Sequence, residues 1–262
     1  MKQNYLKELM TALLLLCCTV ASAQDFEVGG INYNILSSED KTVEVRSGSN
    51  KYTGSVTIPA SVTYNGEAYS VKSIGNNAFR RWHGLTSIEI PSSVTSIGER
   101  AFEKCDTLTS IVVGDGNTVY DSRGNCNAII ETASNTLILG CKNTIIPEGV
   151  TSIGNHAFHD CTSLTSIVIP EGVTRIGDYA FSYCSNLKNF RVPSELTSVS
   201  SYAFYYNTAL SDISALSKWN TSNVVNMDDM FYNASSLTDI DGVSNWDTSN
   251  VVNMNKMFYK LK

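Results

Sequence analysis

Charge is scarce in this 262-residue chain: Asp, Glu, Lys and Arg together make up 17% of it, against roughly a quarter in ordinary soluble domains. The balance is acidic, at a net charge of -6. No cluster of Lys or Arg interrupts it, so there is no cationic track for a phosphate backbone, and nucleic acid is excluded as a partner. Long apolar runs are scarce too. One extends from Leu9 to Val20, and no later stretch approaches the roughly 20 residues that a membrane-spanning helix requires. Histidine is limited to His83, His156 and His159. With no Gly-x-Ser-x-Gly turn or oxyanion loop near any of them, no nucleophilic constellation can be built. The sequence offers no catalytic residue and calls for no cofactor.

What is present is a period. The stretch Ile153 to Arg175, IGNHAFHDCTSLTSIVIPEGVTR, starts again at Ile176, and related copies begin at Ile74 and Ile97, each offset by 23 residues from its neighbour. Ala-Phe pairs mark the phase at Phe79, Phe102, Phe158, Phe181 and Phe204, and a Leu follows each Phe by six residues, at Leu85, Leu108, Leu164, Leu187 and Leu210. A fixed period of this length predicts stacked coils, a β-rich solenoid of short parallel strands with short helical or 3₁₀ corners. Within a coil, Leu164, Ile167 and Ile169 fall on the inner face of a strand, while Thr165, Ser166 and Val168 point outward. The five prolines, Pro59, Pro91, Pro147, Pro170 and Pro193, each follow an apolar segment. Lacking an N–H, they mark the exit from a strand ladder. One hydrophobic seam is expected from Phe79 through Phe258.

The ends and the interruptions complete the organisation. Residues 1–23 read as a leader: Lys2 and Lys7 precede the apolar run, and Ala21-Ser22-Ala23 forms a cleavage site, with cleavage after Ala23. A lipoprotein anchor at Cys17 or Cys18 is disfavoured, because Leu16 and Cys17 stand where a small residue belongs. Residues 24–72 read as a β cap covering the open end of the array, with Asn65-Gly66 as a two-residue hairpin turn. Residues 73–210 carry the repeats, with an insertion at about 114–146. That insertion reads as a hairpin centred on Ala133-Ser134, which sets Cys126 opposite Cys141, as a disulfide or as two free thiols. Cys105, Cys161 and Cys184 occupy one repeat position, three residues after the Phe, and read as buried thiols. In residues 211–262 the repeat changes: WNTSNVVNMDDMF opens at Trp219 and WDTSNVVNMNKMF at Trp246. Met227, Met230, Met254 and Met257 are expected to fill the core there. The next Leu of the pattern would fall at 264, so the chain reads as part of a longer array.

The IGxxAFxxCxxLTSIxIPxxVTS units resemble the BspA-like leucine-rich repeats of bacterial surface proteins. The hairpin YDSRGNCNAII…LILGC, from Tyr120 to Cys141, resembles an insertion common in that family, and the WDTSNVxNMxxMF units resemble the mycoplasma-type lipoprotein repeat. The resemblance covers nearly all of residues 55–258. It implies a secreted or surface-exposed, non-catalytic protein that recognises an extracellular protein, of a host matrix or a bacterial surface, or a glycan. The competing reading is a structural spacer within a larger surface protein, and a monomer is expected in either case.

Two surfaces are candidates for recognition. The first is the outward strand face, where Lys188, Asn189 and Arg191 break the hydroxyl pattern set by Thr165 and Ser166. The second is a tyrosine-rich corner made of Tyr179, Tyr183, Tyr202, Tyr205 and Tyr206, joined by Tyr232, whose rings offer contact area at low entropic cost. His156 and His159 stand beside Asp160 at metal-like spacing. The equivalent positions of other repeats hold Arg100 and Glu103, or Tyr179 and Ser182, so they read as variable corner residues, and no metal site is expected.

Overall fold

The computed structural model describes residues 26–48, 53–194 and 196–261. The expected leader and its cleavage site lie outside them. The first strands form a meander, β1 (Phe26–Val28), β2 (Ile31–Ser37) and β3 (Thr42–Arg46). The next strand, β4 (Gly54–Thr57), leaves that sheet and pairs in parallel with the first full coil, whereas β5 (Ser61–Tyr64) and β6 (Glu67–Ile74) return to it as a hairpin. The turn between them is Asn65-Gly66, with φ of 50° and 79°. That is the pair of left-handed residues a two-residue hairpin needs to match strand twist.

The coils then build two parallel ladders. The longer strands β7 (Leu85–Ile90) and β9 (Ser110–Val113) extend from β4, and β8 (Ser96–Ile97) pairs with β6. The insertion supplies β10 (Tyr120–Asp121), β11 (Ala128–Glu131) and β12 (Thr136–Gly140). Beyond it, β13 (Ser152–Ile153), β15 (Arg175–Ile176) and β17 (Ser198–Val199) continue in parallel from β12, while β14 (Ser166–Val168) pairs with β16 (Asn189–Arg191). The alternation is as the sequence predicts: Leu164, Ile167 and Ile169 are buried, and Val168 is 62% exposed. Threonine between coils serves the ladder. The N–H and the hydroxyl of Thr197 both donate to Thr174 O, at 3.0 Å each, and Thr109 does the same to Thr86 O. Part of the hydroxyl face is therefore structural, giving a second donor to carbonyls that already accept a ladder N–H.

The insertion divides the interior. Instead of one seam there are two apolar clusters, one built from Phe26 to Val113 with Tyr120, Ile129 and Cys141, the other from Cys126 to Met257. Along β11, Ala128 and Ile130 belong to the second cluster and Ile129 to the first, and all three are fully buried. The hairpin is thus a wall packed on both faces. Stacked phenylalanines run through each half separately: Phe79 on Phe102 at 5.1 Å, then Phe158, Phe181, Phe204, Phe231 and Phe258 at 4.9 to 5.6 Å with rings within 11° of parallel.

This wall also separates the two cysteines that the sequence sets opposite each other. Near the turn the register is the expected one, Glu131 with Thr136 and Ile130 with Leu137. A bulge between Ile129 and Ile130 then shifts it to Ile129 with Leu139 and Ala128 with Gly140. A one-residue slip exchanges the two faces of a strand. Cys126 goes to the second cluster and Cys141 to the first, and both are free thiols. Cys161 and Cys184 are buried free thiols as well.

In the Trp-opened units, Met227 and Met230 are fully buried and Met257 nearly so. Met254 is 47% exposed, unlike the expectation for it. It belongs to the last described coil, whereas the equivalent Met227 is covered by that coil, whose Asn253 accepts the Met227 N–H at 2.8 Å.

Candidate functional site

Each Ala-Phe corner is a third ladder. Alternate corner N–H groups donate to the next coil: His156 to Asp178 O, Phe158 to Ala180 O and Asp160 to Ser182 O, at 2.7 to 3.0 Å. To aim them this way the corner turns left-handed twice, two residues before each Phe and two after it. Asparagine, which tolerates that conformation, fills Asn77 and Asn233. Tyrosine fills Tyr179, Tyr183, Tyr202 and Tyr206, at φ of 55° to 61°, where a side chain with a β-carbon costs about 1–2 kcal/mol.

Those rings form lanes across the coils. His156 stacks on Tyr179 at 5.2 Å and Tyr179 on Tyr202 at 4.6 Å. Tyr183 stacks on Tyr206 at 5.1 Å. Tyr205 stacks on Tyr232 and Tyr232 on Tyr259, at 5.0 and 5.2 Å. Edge contacts join the lanes, Tyr183 to Tyr205 and Tyr202 to Tyr205, both at 5.6 Å. The five tyrosines expected at the corner, with Tyr232, therefore form one surface, and Tyr259 extends it. Most are half-buried and edge-exposed; Tyr183 and Tyr259 are exposed. The Tyr202 hydroxyl donates to Asp228 Oδ2 at 3.0 Å, which raises its pKa well above that of a free phenol, with burial adding to the effect. Burial, followed by the neighbouring tyrosines, pushes Tyr205 up to about 12. Tyr202 and Tyr205 are therefore neutral at physiological pH.

The outward strand face is separate. Thr165 precedes β14, and Ser166 begins it; Ser166 pairs with Asn189 and Val168 with Arg191 across to β16. Lys188 donates its backbone N–H to Thr165 O at 3.0 Å. All five polar side chains of this set are exposed.

A third feature was not legible as a site. Where the hairpin replaces a corner, a cavity of about 620 Å³ opens between the corners at residues 97–108 and 155–161, floored by Ile129, Ile138, Leu139 and Cys141. Charged side chains cross its mouth. Lys104 Nζ lies 3.2 Å from Asp160 Oδ2, and His159 Nε2 lies 2.9 Å from Asp160 Oδ2 and 3.8 Å from Glu103 Oε1. Arg80 grips Glu103 from the preceding coil, Nε to Oε2 at 2.7 Å. Glu103, His159 and Asp160 are close enough to share a cation. The imidazole of His156, at the same mouth, has a lowered pKa through burial and then the nearby His159 and Arg100. Repeat equivalence identifies Glu103 and His159 as the same position in two coils, but only the path of the hairpin brings them face to face. Among the described residues no helix is long and apolar enough to cross a membrane.

The profile of the BspA type leucine rich repeat region matches in six copies, over residues 55–127 and 134–257. Among solved structures similar to this chain, a leucine-rich repeat protein of T. pallidum is 21% identical with a TM-score of 0.41, covering 91% of each chain. A leucine-rich cell surface protein of Faecalibacterium prausnitzii is 18% identical with a TM-score of 0.43, covering 89% of this chain and 95% of that one. A leucine-rich repeat protein of Bacteroides ovatus is 24% identical with a TM-score of 0.41, covering 91% and 81%. A search among proteins of curated function found no match. With six copies of its repeat spanning most of the sequence and folded as stacked coils, the chain belongs to the BspA-type leucine-rich repeat family.

Proposed function

We propose that this chain is a secreted or surface-exposed, non-catalytic recognition module whose tyrosine corner binds an extracellular protein or glycan. The observation that carries this reading is a surface of stacked rings. Four tyrosines stand at left-handed positions where Asn serves the same backbone at less cost, and their rings stack in register across the coils. Other coils carry Arg81, Arg100, Lys104, Lys256 and Lys260 at the same left-handed positions, so it is the stack of rings, and not the backbone, that sets this corner apart. Rigid, neutral rings with polar edges suit the faces of sugars and the side chains of a protein partner. Family membership supports the same class, since leucine-rich repeats are typically binding scaffolds. We read residues 1–23 as the secretion leader and the units at Trp219 and Trp246 as mycoplasma-type lipoprotein repeats continuing the array.

The test compares the wild type with the triple variant Tyr179→Asn, Tyr202→Asn, Tyr206→Asn on immobilised matrix proteins and on a glycan array. The expected result is at least a tenfold loss of binding with thermal stability unchanged or raised. Alanine replacement of Lys188, Asn189 and Arg191 addresses the strand face in the same assay. If no ligand is retained by the wild type, the spacer reading replaces this one. If binding follows the alanine variant and ignores the triple, the site lies on the strand face.

A further inference from the structure

We infer that Glu103, His159 and Asp160 form a zinc-class metal site that ties together the two corners parted by the insertion. The three side chains come from neighbouring corners and are 10%, 11% and 14% exposed. Their donor atoms lie within 4.8 Å of one another. An imidazole with two carboxylates is a ligand set that suits zinc and its neighbours better than calcium or magnesium. The orientation of the imidazole is the second, independent observation. His159 Nδ1 lies 2.5 Å from Ser182 Oγ, and that hydroxyl donates its only proton to Tyr179 O at 3.0 Å. Ser182 can then only accept, so Nδ1 carries the hydrogen and the lone pair of the neutral ring is on Nε2. That lone pair points at Asp160 Oδ2 and Glu103 Oε1. A neutral ring turns that lone pair on both carboxylates, an arrangement that a cation bound between them relieves; an imidazolium would relieve it as a plain ion pair, and the metal titration below separates the two. The Nδ1–H to hydroxyl bond is the outer-shell support that metal-ligating histidines generally have. Asp160 Oδ2 itself is buried without a well-aligned hydrogen bond. The cavity beyond supplies room for a fourth ligand, water or a group from a partner.

Three cations already act on these carboxylates, Arg100 among them with its Nε 3.8 Å from Glu103 Oε2. Arg80 holds Glu103 mainly through Oε2, leaving Oε1 toward His159. Lys104 approaches the same Asp160 oxygen that a metal would use, so it competes with the metal, and this separates a metal site from an ion-pair cluster. The full chain, stripped with a chelator, is titrated with Zn²⁺ by calorimetry and with Co²⁺ by visible absorption, at about pH 8, where an ordinary imidazole is neutral. One equivalent should bind, raise the melting temperature, and be lost in His159→Gln and in Asp160→Asn. The second of these keeps a residue that tolerates the left-handed backbone at position 160. Ser182→Ala should weaken binding roughly 10–100-fold, Lys104→Ala should tighten it, and His156→Ala should leave it unchanged. Calcium should not compete. Absence of stoichiometric binding in the wild type, retention in both His159→Gln and Asp160→Asn, or weaker binding in Lys104→Ala would overturn the assignment.

Discussion

Alanine at Gly140 would drive a methyl group into the ring of Phe158: the new carbon would lie 2.8 Å from Cδ1 and closer still to Cε1 and Cζ. Neither side has room to give. The Phe158 ring is 1% exposed and is stacked on Phe181 at 4.9 Å, while Gly140 is fixed in β12 and donates its N–H to Ala157 O at 2.8 Å. The backbone at Gly140 is not left-handed, so the cost is steric, and overpacking of this kind destabilises by about 2–3 kcal/mol. For a chain of this size that corresponds to a fall of about 4–12 °C in melting temperature. The diagnostic is a double-mutant cycle with Phe158→Leu, read by urea unfolding. The smaller side chain should relieve the clash and give a coupling of about 1 kcal/mol or more. Gly149→Ala is the control. Its φ is +84° with nothing within 4 Å of the added carbon, so it should cost about 1 kcal/mol through backbone strain and add simply to Phe158→Leu. If Gly140→Ala is neutral, or additive with Phe158→Leu, the hairpin does not close the second half of the array as described.

Phe204 is fully buried between Phe181 and Phe231 and also lies against Phe190 at 4.4 Å. Phe204→Ala should therefore cost about 3–5 kcal/mol in thermal or urea melts, and more than Phe258→Ala, whose ring is only partly buried. Stability should also fall at alkaline pH. Burial pushes Cys105 and Cys161 up from 9.0 to about 12. These thiols stay protonated in the fold while the unfolded chain gives up its protons, so their contribution is full below about pH 9 and lost as pH rises toward 12. A melting temperature that stays flat from pH 8 to about 11 would contradict the burial of these groups.

The array was legible because its signals are local and repeated. The Phe-to-Leu spacing sets the coil, the Leu-x-x-Ile-x-Ile pattern sets the strand face, and Asn65-Gly66 sets the hairpin turn. The hairpin insertion was legible as a hairpin but not in its consequence. Its register depends on a single bulge at Ile129 and Ile130, and nothing in CNAIIETASNTLILGC marks that bulge. One residue of slip decided the fate of Cys126 and Cys141, while the hairpin itself turned the expected single seam into two. The tyrosine corner could be assembled by aligning residues at fixed offsets from each Phe, although the left-handed backbone beneath it could not. The cluster of Glu103, His159 and Asp160 was hidden by the same alignment. Equivalent positions in a repeat normally lie a coil apart, and here the insertion decides which coils meet.

The hairpin acts as an interior wall, with β11 packed on both faces and β12 backing it, and native-state hydrogen exchange read by mass spectrometry measures this. Amides of Ala128–Glu131 and Thr136–Gly140 should exchange as slowly as those of the coils around Phe158 and Phe181. Exchange of the hairpin at the rate of a free surface loop, with the coils still protected, would contradict it.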